Sequence, residues 1–594
     1  MTTRSLPMLE IVVPGRTDGR VAAAPDDARL GEFRPESRAL PSFYIWTLGC
    51  QMNRSDSEEM AGRLLTAGCD EAPTMEAADL IVINTCAIRE AAEAKVIGRQ
   101  GQLRQLKASN PSLRVVLTGC SVREMDRSRL ARRYPAVDLF LRPDEEPELV
   151  DRLGLASAQA PVGAMNPVGG AMPVGAPPRI GAIGATTVVA RSVVGVADHL
   201  AETRAAAVSG GAIRRGSAVS AWLPIIYGCD KTCSYCIVPF SRGPERSRPF
   251  DQVVDEARTL GSQGYREVTL LGQNVNSYGH DLAPEERFGH IRTERWAGRR
   301  LDLGSRPDLA ELIRAIDGLR TADGSPAIRR LRFITSHPWD LSDRLIDAMA
   351  DCPSVCEALH LPVQSGDDAV LKRMGRQYTI DHYRERLDRI RAAVPDIAIS
   401  TDVIVGFCGE TEAQYQSTVR LLETFPYDQV FAAAYSERPG TPATHLADDV
   451  SADVKRRRLN ELLAIQEPIG HERNRAWLGR EVEVLVDTIV PPRSHDHDDD
   501  HSGPADAVEA GGGEAGGRPP ATSPRPGEVH LSGRTRQNKL VHLVGPGSWI
   551  GQLVQVRVEH AGPYALRGTP WAQPTASLPR DDGAPASESV AVPA

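Results

Sequence analysis

Cys229, Cys233 and Cys236 stand at CxxxCxxC spacing in the run Cys229-Asp230-Lys231-Thr232-Cys233-Ser234-Tyr235-Cys236. Thiolates are soft ligands suited to iron–sulfur clusters. A 4Fe–4S cubane has four irons, and three cysteines hold only three of them. One iron is then open to a ligand that is not protein. A tight loop lets the three sulfurs wrap one cubane, whereas a strand sends successive side chains to opposite faces. A structural zinc needs a fourth ligand, usually from a second CxxC or HxxxH pair, and no such pair lies nearby in sequence. The spacing favours an open cluster over zinc.

A second set is spread over three units. Phe43-Tyr44-Ile45-Trp46-Thr47-Leu48-Gly49 runs into Cys50, Leu80-Ile81-Val82-Ile83-Asn84-Thr85 into Cys86, and Val115-Val116-Leu117-Thr118-Gly119 into Cys120. Each reads as a strand, then a Cys, then a helical pattern such as 57–65 or 89–106. Repeated strand–helix units build a parallel sheet, whose ligands bind at the carboxyl ends of the strands. A lone Cys at such a place is ordinarily a buried, inert thiol. The same place in three successive units argues instead for a second three-Cys cluster site. Cys69 lies outside the pattern and is expected in the core.

These runs carry a resemblance. CxxxCxxC with an aromatic before its last Cys resembles the radical S-adenosylmethionine (SAM) superfamily. Tyr227-Gly228-Cys229 through Arg242-Gly243-Pro244-Glu245-Arg246-Ser247 resembles the methylthiotransferase family within it. So do Thr47-Leu48-Gly49-Cys50-Gln51-Met52-Asn53, Asn84-Thr85-Cys86 and Thr118-Gly119-Cys120. The resemblance implies two 4Fe–4S clusters. Cluster 1 is held by Cys50, Cys86 and Cys120 and carries the sulfur. Cluster 2 is held by Cys229, Cys233 and Cys236 and binds SAM at its open iron. On the same resemblance, one SAM would give a methyl group to the sulfur, and a second would yield the radical that takes the C2 hydrogen. No catalytic side chain beyond the cluster ligands is implied. The expected reaction adds a methylthio group to C2 of N6-isopentenyladenosine next to the anticodon in tRNA. The alternative within the family is methylthiolation of a ribosomal-protein aspartate. An alternative of another class is a non-catalytic iron–sulfur redox sensor that binds RNA. An electron donor of flavodoxin or ferredoxin type is expected, and the sulfur donor is left open.

Bulk properties bound these readings. The 594 residues carry a net charge of −9, so nucleic-acid binding must be local rather than a property of a polycation. No apolar stretch is long enough to span a membrane, and 1–41 lacks the apolar core of a secretory signal. Ten cysteines without a secretory pattern point to a reducing cytoplasm. A monomer is expected.

The elements that must position these residues follow in order. Residues 1–41 read as a disordered extension and 42–152 as the methylthiotransferase N-terminal domain. Residues 153–215 form a low-complexity linker in which Pro-Val-Gly recurs at 161–163, 167–169 and 173–175. In 216–450, strand patterns at 223–226, 267–272, 331–335, 358–363, 398–406 and 430–435 alternate with helical ones such as 250–262, 307–319 and 381–393. This alternation argues for a parallel barrel or partial barrel, and the resemblance implies an open (βα)6 radical SAM core. The fold class is α/β throughout, closed by a small β-barrel. Polar residues at the strand ends are Gln273, Asn274, Ser336, His337, Gln364, Ser365 and Asp402, where barrel sites lie. Of these, Gln273, Asn274, Ser336, Gln364 and Asp402, with Tyr235, are the candidate SAM contacts.

Three features depart from the family pattern: an extra loop at 280–306, Cys408 in place of proline in Gly406-Phe407-Cys408-Gly409-Glu410, and a lone CxxxC pair, Cys352 and Cys356, expected to be ordinary thiols. A helix is expected over 451–476, with Lys455, Arg456, Arg457 and Arg458 as a solvated basic face. Alternating strands at 481–486 and 552–558 suggest a barrel over 477–565. It looks like a TRAM domain, an RNA-binding barrel, with Arg534, Arg536 and Lys539 as phosphate contacts. It is interrupted by an insertion, 492–528, bearing His495, His497 and His501, and read as an acidic flexible loop. Residues 566–594 read as a disordered tail.

Overall fold

The computed structural model describes residues 41–86, 90–122, 127–155, 213–289, 294–296, 299–301, 304–490 and 524–572. Residues 1–40 of the expected extension, most of the linker, the histidines of the insertion and the end of the tail lie outside the described residues.

The N-terminal domain is a parallel sheet in the order β2-β1-β3-β4-β5. Its strands are β1 (Ser42–Leu48), β2 (Asp70–Glu71), β3 (Leu80–Thr85), β4 (Arg114–Thr118) and β5 (Leu139–Phe140). Every residue of central β3 is buried, as expected of a strand covered on both faces. Helix Gln51–Thr66 starts directly after Cys50. The single helical pattern at 89–106 resolves into two helices, Glu90–Gly98 and Gln100–Ser109. Gly98 and Gly101 flank the break at Arg99, where glycine weakens helix propagation. Cys69 is buried in this domain's core, as expected.

The central domain begins with β6 (Ser220–Pro224). A two-residue antiparallel pair, β7 (Ile226–Tyr227) and β8 (Arg246–Ser247), then brackets the cysteine loop. Strands β9 (Glu267–Leu271) and β12 (Arg330–Phe333) pair parallel with β6 in the order β12-β9-β6. Strands β13 (Ala358–His360), β14 (Ala398–Val405) and β15 (Gln429–Ala434) form a second parallel set. A parallel bridge between Leu331 and Val355 joins the two sets. The six strands therefore follow one another as an open (βα)6 sheet. One apolar cluster underlies all of it. Helix Gln51–Thr66 of the N-terminal domain lies beside β6, and helix Ala452–Arg475 beside β15, so both outer strands are covered. The extra loop carries a short hairpin, β10 (Glu294–Trp296) and β11 (Arg299–Leu301).

The C-terminal domain is a closed barrel, β16-β17-β18-β20-β19. Its strands are β16 (Glu481–Ile489), β17 (Glu528–Thr535), β18 (Leu540–Pro546), β19 (Leu553–Ala561) and β20 (Ala565–Pro570). Val482, Val484 and Val486 point inward with Val554, Val556 and Val558, the period-two pattern of a half-buried strand. Strand β20 lies where the tail was expected to begin. Ala-Leu-Arg-Gly-Thr-Pro is too short and mixed to read as a strand, yet it closes the barrel between β18 and β19.

The basic run 455–458 is not a uniformly solvated face. Arg456 is exposed, but Arg458 is buried and pairs with Glu410 at 2.9 Å. Lys455 is buried and reaches Asp448 at 2.7 Å. Both fasten the long helix to the core, and Glu410 also accepts from the Gly406 N–H. Cys408 is buried in this turn beside Phe407 and Tyr435. Cys352 and Cys356 are buried free thiols.

Candidate active site and its cysteine-bearing loops

The loop of Cys229, Cys233 and Cys236 is held by main-chain bonds. The Cys229 N–H donates to Gly243 O at 3.1 Å and the Cys236 N–H to Cys233 O at 3.1 Å. Ser234 donates through N–H to Met374 O and accepts from the Ala443 N–H, both at 2.8 Å. Gly228 has φ +76, and a Cβ there would lie 2.0 Å from Pro244 O, so only glycine fits the turn. Burial pushes the Cys236 thiol up to about 12, with Cys233 adding to the shift, and it also raises Cys229. Arg376 is buried and donates to Cys233 Sγ at 3.5 Å.

The second set converges at the carboxyl edge of the N-terminal sheet. Cys50 N-caps helix Gln51–Thr66, and its N–H donates to Asn53 Oδ1 at 3.3 Å. Asn53 Nδ2 donates to Asn84 Oδ1 at 2.8 Å, which ties the end of β3 to this helix. A Cβ on Gly49 would come within 3.0 Å of Cys86 Cβ, so the ends of β1 and β3 approach closely. Cys120 follows β4, and burial raises its thiol against the opposing pull of Arg242. Ile237, next after Cys236, packs on Cys120, and Arg242 of the same loop bonds its sulfur at 3.1 Å. The two three-Cys sets thus face each other across the domain junction.

Among the described residues, no three Cys, His, Asp or Glu side chains converge as ligands of a single metal ion. A cubane asks for something else, because its three thiolates sit on three separate irons. The donor set fits such a group. Three thiols per set lie in largely buried surroundings where an unligated thiolate is costly, and a cation, Arg242 or Arg376, bonds to a sulfur of each set.

The polar strand ends divide. Ser336 Oγ and Asn274 Oδ1 are buried and have no hydrogen-bond partner among the described residues. Thr335 and Gln364 take φ of 69 and 73, strained for residues other than glycine. Orphaned polar atoms and strained backbone at adjacent strand ends fit a polar ligand such as SAM. Gln273 instead accepts from the Gly228 N–H at 2.6 Å and so braces the cysteine loop. Asp402 lies within β14 rather than at its end, and its carboxylate is 3.4 Å from His360 Nε2. Tyr235 stands edge-on to Phe407, with ring centroids 6.4 Å apart. Burial holds His337 well below the ordinary histidine range, so it is neutral, and it accepts from the Trp339 N–H. Ser365 is buried beside Thr418, against the helix that follows β14.

A polar chain that the sequence did not disclose joins these elements. Lys231 of the cysteine loop pairs with Asp340 at 2.7 Å. Asn274 Nδ2 donates to Asp340 at 2.7 Å and to Glu245 at 3.1 Å. The Glu245 N–H donates to Asp230 at 3.0 Å. Nothing in the separation of Lys231 from Asp340 signals this contact in advance.

The expected phosphate contacts need correction. Lys539 is buried and pairs with Asp428 of the core at 2.7 Å. Arg536 forks onto Glu357 at 2.8–3.0 Å. Both charges are spent on docking the barrel to the core, which a basic run alone cannot reveal. Among the described residues, the Arg534 guanidinium makes one bond, to Asn538 O at 3.2 Å, and is half-exposed. From the core, Arg330 and Arg332 donate to the carbonyls of Glu483, Arg534, Thr535 and Arg536.

Residues 223–422 match the radical SAM superfamily and 42–142 an uncharacterized protein family, UPF0004. The chain is 36% identical to the tRNA-2-methylthio-N(6)-dimethylallyladenosine synthase of Roseiflexus sp. (strain RS-1), over 92% of each chain. It is 38% identical to that of Geobacillus thermodenitrificans (strain NG80-2), over 90% of this chain and 84% of the relative. Among solved structures, the radical SAM methyltransferase TsrM from Kitasatospora setae is similar at a TM-score of 0.44 and 12% identity. That alignment covers 73% of this chain and 90% of TsrM, and it is too distant to bear on the reaction. Similarity above one third, sustained from the first cysteine unit to the barrel, leads to one conclusion: the chain belongs to the tRNA-2-methylthio-N(6)-dimethylallyladenosine synthase family of radical SAM methylthiotransferases.

Proposed function

We propose that this protein adds a methylthio group to C2 of N6-isopentenyladenosine beside the anticodon of tRNA. The observation that carries the reading is end-to-end similarity to the synthases named for that reaction, with both three-Cys sets in place. Two 4Fe–4S clusters and SAM supply the electron, the hydrogen abstraction and the sulfur carrier. Cys229, Cys233 and Cys236 would hold one cluster, and Cys50, Cys86 and Cys120 the other.

The chain's own residues do the positioning. Ser336 and Asn274 offer orphaned polar atoms to SAM at the strand ends, next to the strained Thr335 and Gln364. Lys231, Asp340, Asn274 and Glu245 fix the cysteine loop against those ends. Arg534 on the docked barrel would meet the RNA backbone, where cations position a substrate without reading its sequence. A target base must leave the stack, which an anticodon loop permits at low cost. We assign the protein to the cytoplasm, as a monomer that receives electrons from a flavodoxin or ferredoxin; among the described residues no helix is long and apolar enough to cross a membrane.

The test is an anaerobic assay with SAM, sulfide and reductant. It offers isopentenylated tRNA, unmodified tRNA and a ribosomal protein. Isopentenylated tRNA should be methylthiolated fastest and unmodified tRNA slowly, because prenyl contacts give only about 1–3 kcal/mol of discrimination per methylene. Methylthiolation of the ribosomal protein alone would refute the assignment.

A further inference from the structure

Arg242 comes from the core's cysteine loop, but its guanidinium serves the other domain. Its Nε donates to Cys120 Sγ at 3.1 Å and its Nη2 to Asp56 Oδ2 at 2.7 Å. Asp56 lies on helix Gln51–Thr66, which begins at Cys50. Both ends of the ion pair are almost fully enclosed, at 4% and 2% side-chain exposure. So one cation, delivered across a domain boundary, meets two elements that carry N-terminal cysteines.

Burying a guanidinium beside a carboxylate and a thiol is costly unless all three are held in register. A structural latch would be satisfied by Asp56 alone. The second bond, to a cysteine sulfur, is what a latch does not need. Hydrogen bonds and positive charge at a thiolate set its orientation and shift the potential of the metal group it holds.

We propose that Arg242 is a positioning residue for the N-terminal three-Cys site. It orients Cys120, offsets its thiolate charge, and completes that site only when the core is docked. The inference rests on the reading of Cys50, Cys86 and Cys120 as cluster ligands. A cation beside the cluster favours its more reduced, more negative state, so Arg242 raises the reduction potential there.

The test uses the full chain with Cys229, Cys233 and Cys236 changed to Ala, which isolates the N-terminal site. After anaerobic reconstitution, iron content, iron release to a chelator and midpoint potential are measured with and without Arg242→Gln. The variant should bind iron about 10–100-fold more weakly, the usual cost of removing such a partner, and release it faster to the chelator. Its potential should move to more negative values, and Arg242→Lys should restore the potential better than the release rate, since it keeps charge but not the two-bond geometry. Asp56→Asn, which frees Arg242 without removing it, gives the same readouts if Arg242→Gln fails to fold, and should lie between the parent and Gln. Unchanged release and potential in a folded Arg242→Gln or Asp56→Asn protein would overturn the proposal. A parent that binds no iron would instead overturn the cluster reading on which it rests.

Discussion

At the scale of single residues, the proposed reading gives the two cysteine sets separable work. With all six in place, reconstitution should give about eight irons per chain, two cubanes of four. Changing Cys229, Cys233 and Cys236 to Ala should halve the iron and abolish SAM cleavage. Changing Cys50, Cys86 and Cys120 to Ala should also halve the iron, yet leave cleavage to 5′-deoxyadenosine and stop sulfur transfer. Product analysis with iron counting checks both. Gly228→Ala is a sharper probe of the loop. A side chain at φ +76 costs about 1–2 kcal/mol before its clash with Pro244 O is counted, so this variant should lose core iron while the N-terminal iron stays. Cys50, Cys86 and Cys120 stand out in the sequence because their strand-end positions recur, and Cys229, Cys233 and Cys236 because of their CxxxCxxC spacing. Arg242, Asp56, Lys231 and Asp340 were not, since each acts on a partner remote in sequence.

At the scale of elements, alternation of apolar runs with helical patterns located all six core strands to within a few residues. Boundaries slipped where local signals compete, as at the Arg99 break and in the unrecognised β20. The strand-end rule placed Gln273 and Asp402 among the ligand contacts. Gln273 proves to brace a turn, and Asp402 sits inside its strand. Helix Ala452–Arg475 shows how a charge run misleads, because only packing tells a solvated Arg456 from a buried Arg458. Arg458→Met should leave Glu410 buried without its cation and cost about 3–5 kcal/mol, read as a lowered Tm. Arg456→Met, on the exposed side, should leave Tm nearly unchanged.

At the scale of the molecule, three domains are tied by buried charge: Arg242 with Asp56 at one junction, Lys539 with Asp428 and Arg330 with the barrel carbonyls at the other. Burial works to raise the Asp428 carboxyl, but Lys539 and Arg473 outweigh it and hold it below its ordinary 3.8. A depressed carboxyl contributes stability that is full above that value and lost as pH falls through its folded pKa. Barrel docking should therefore weaken in acid below 3.8, and Lys539→Gln should blunt that dependence in pH-resolved melting. For tRNA, Arg534→Gln should lower the salt slope of binding by about one ion, whereas Lys539→Gln should act through docking.

The product is a modified nucleoside, and mass analysis of tRNA nucleosides from cells with and without this protein measures it directly. 2-Methylthio-N6-isopentenyladenosine should be present with the protein and replaced by N6-isopentenyladenosine without it. Equal amounts of the methylthio nucleoside in both, where no second such enzyme is present, would contradict this activity.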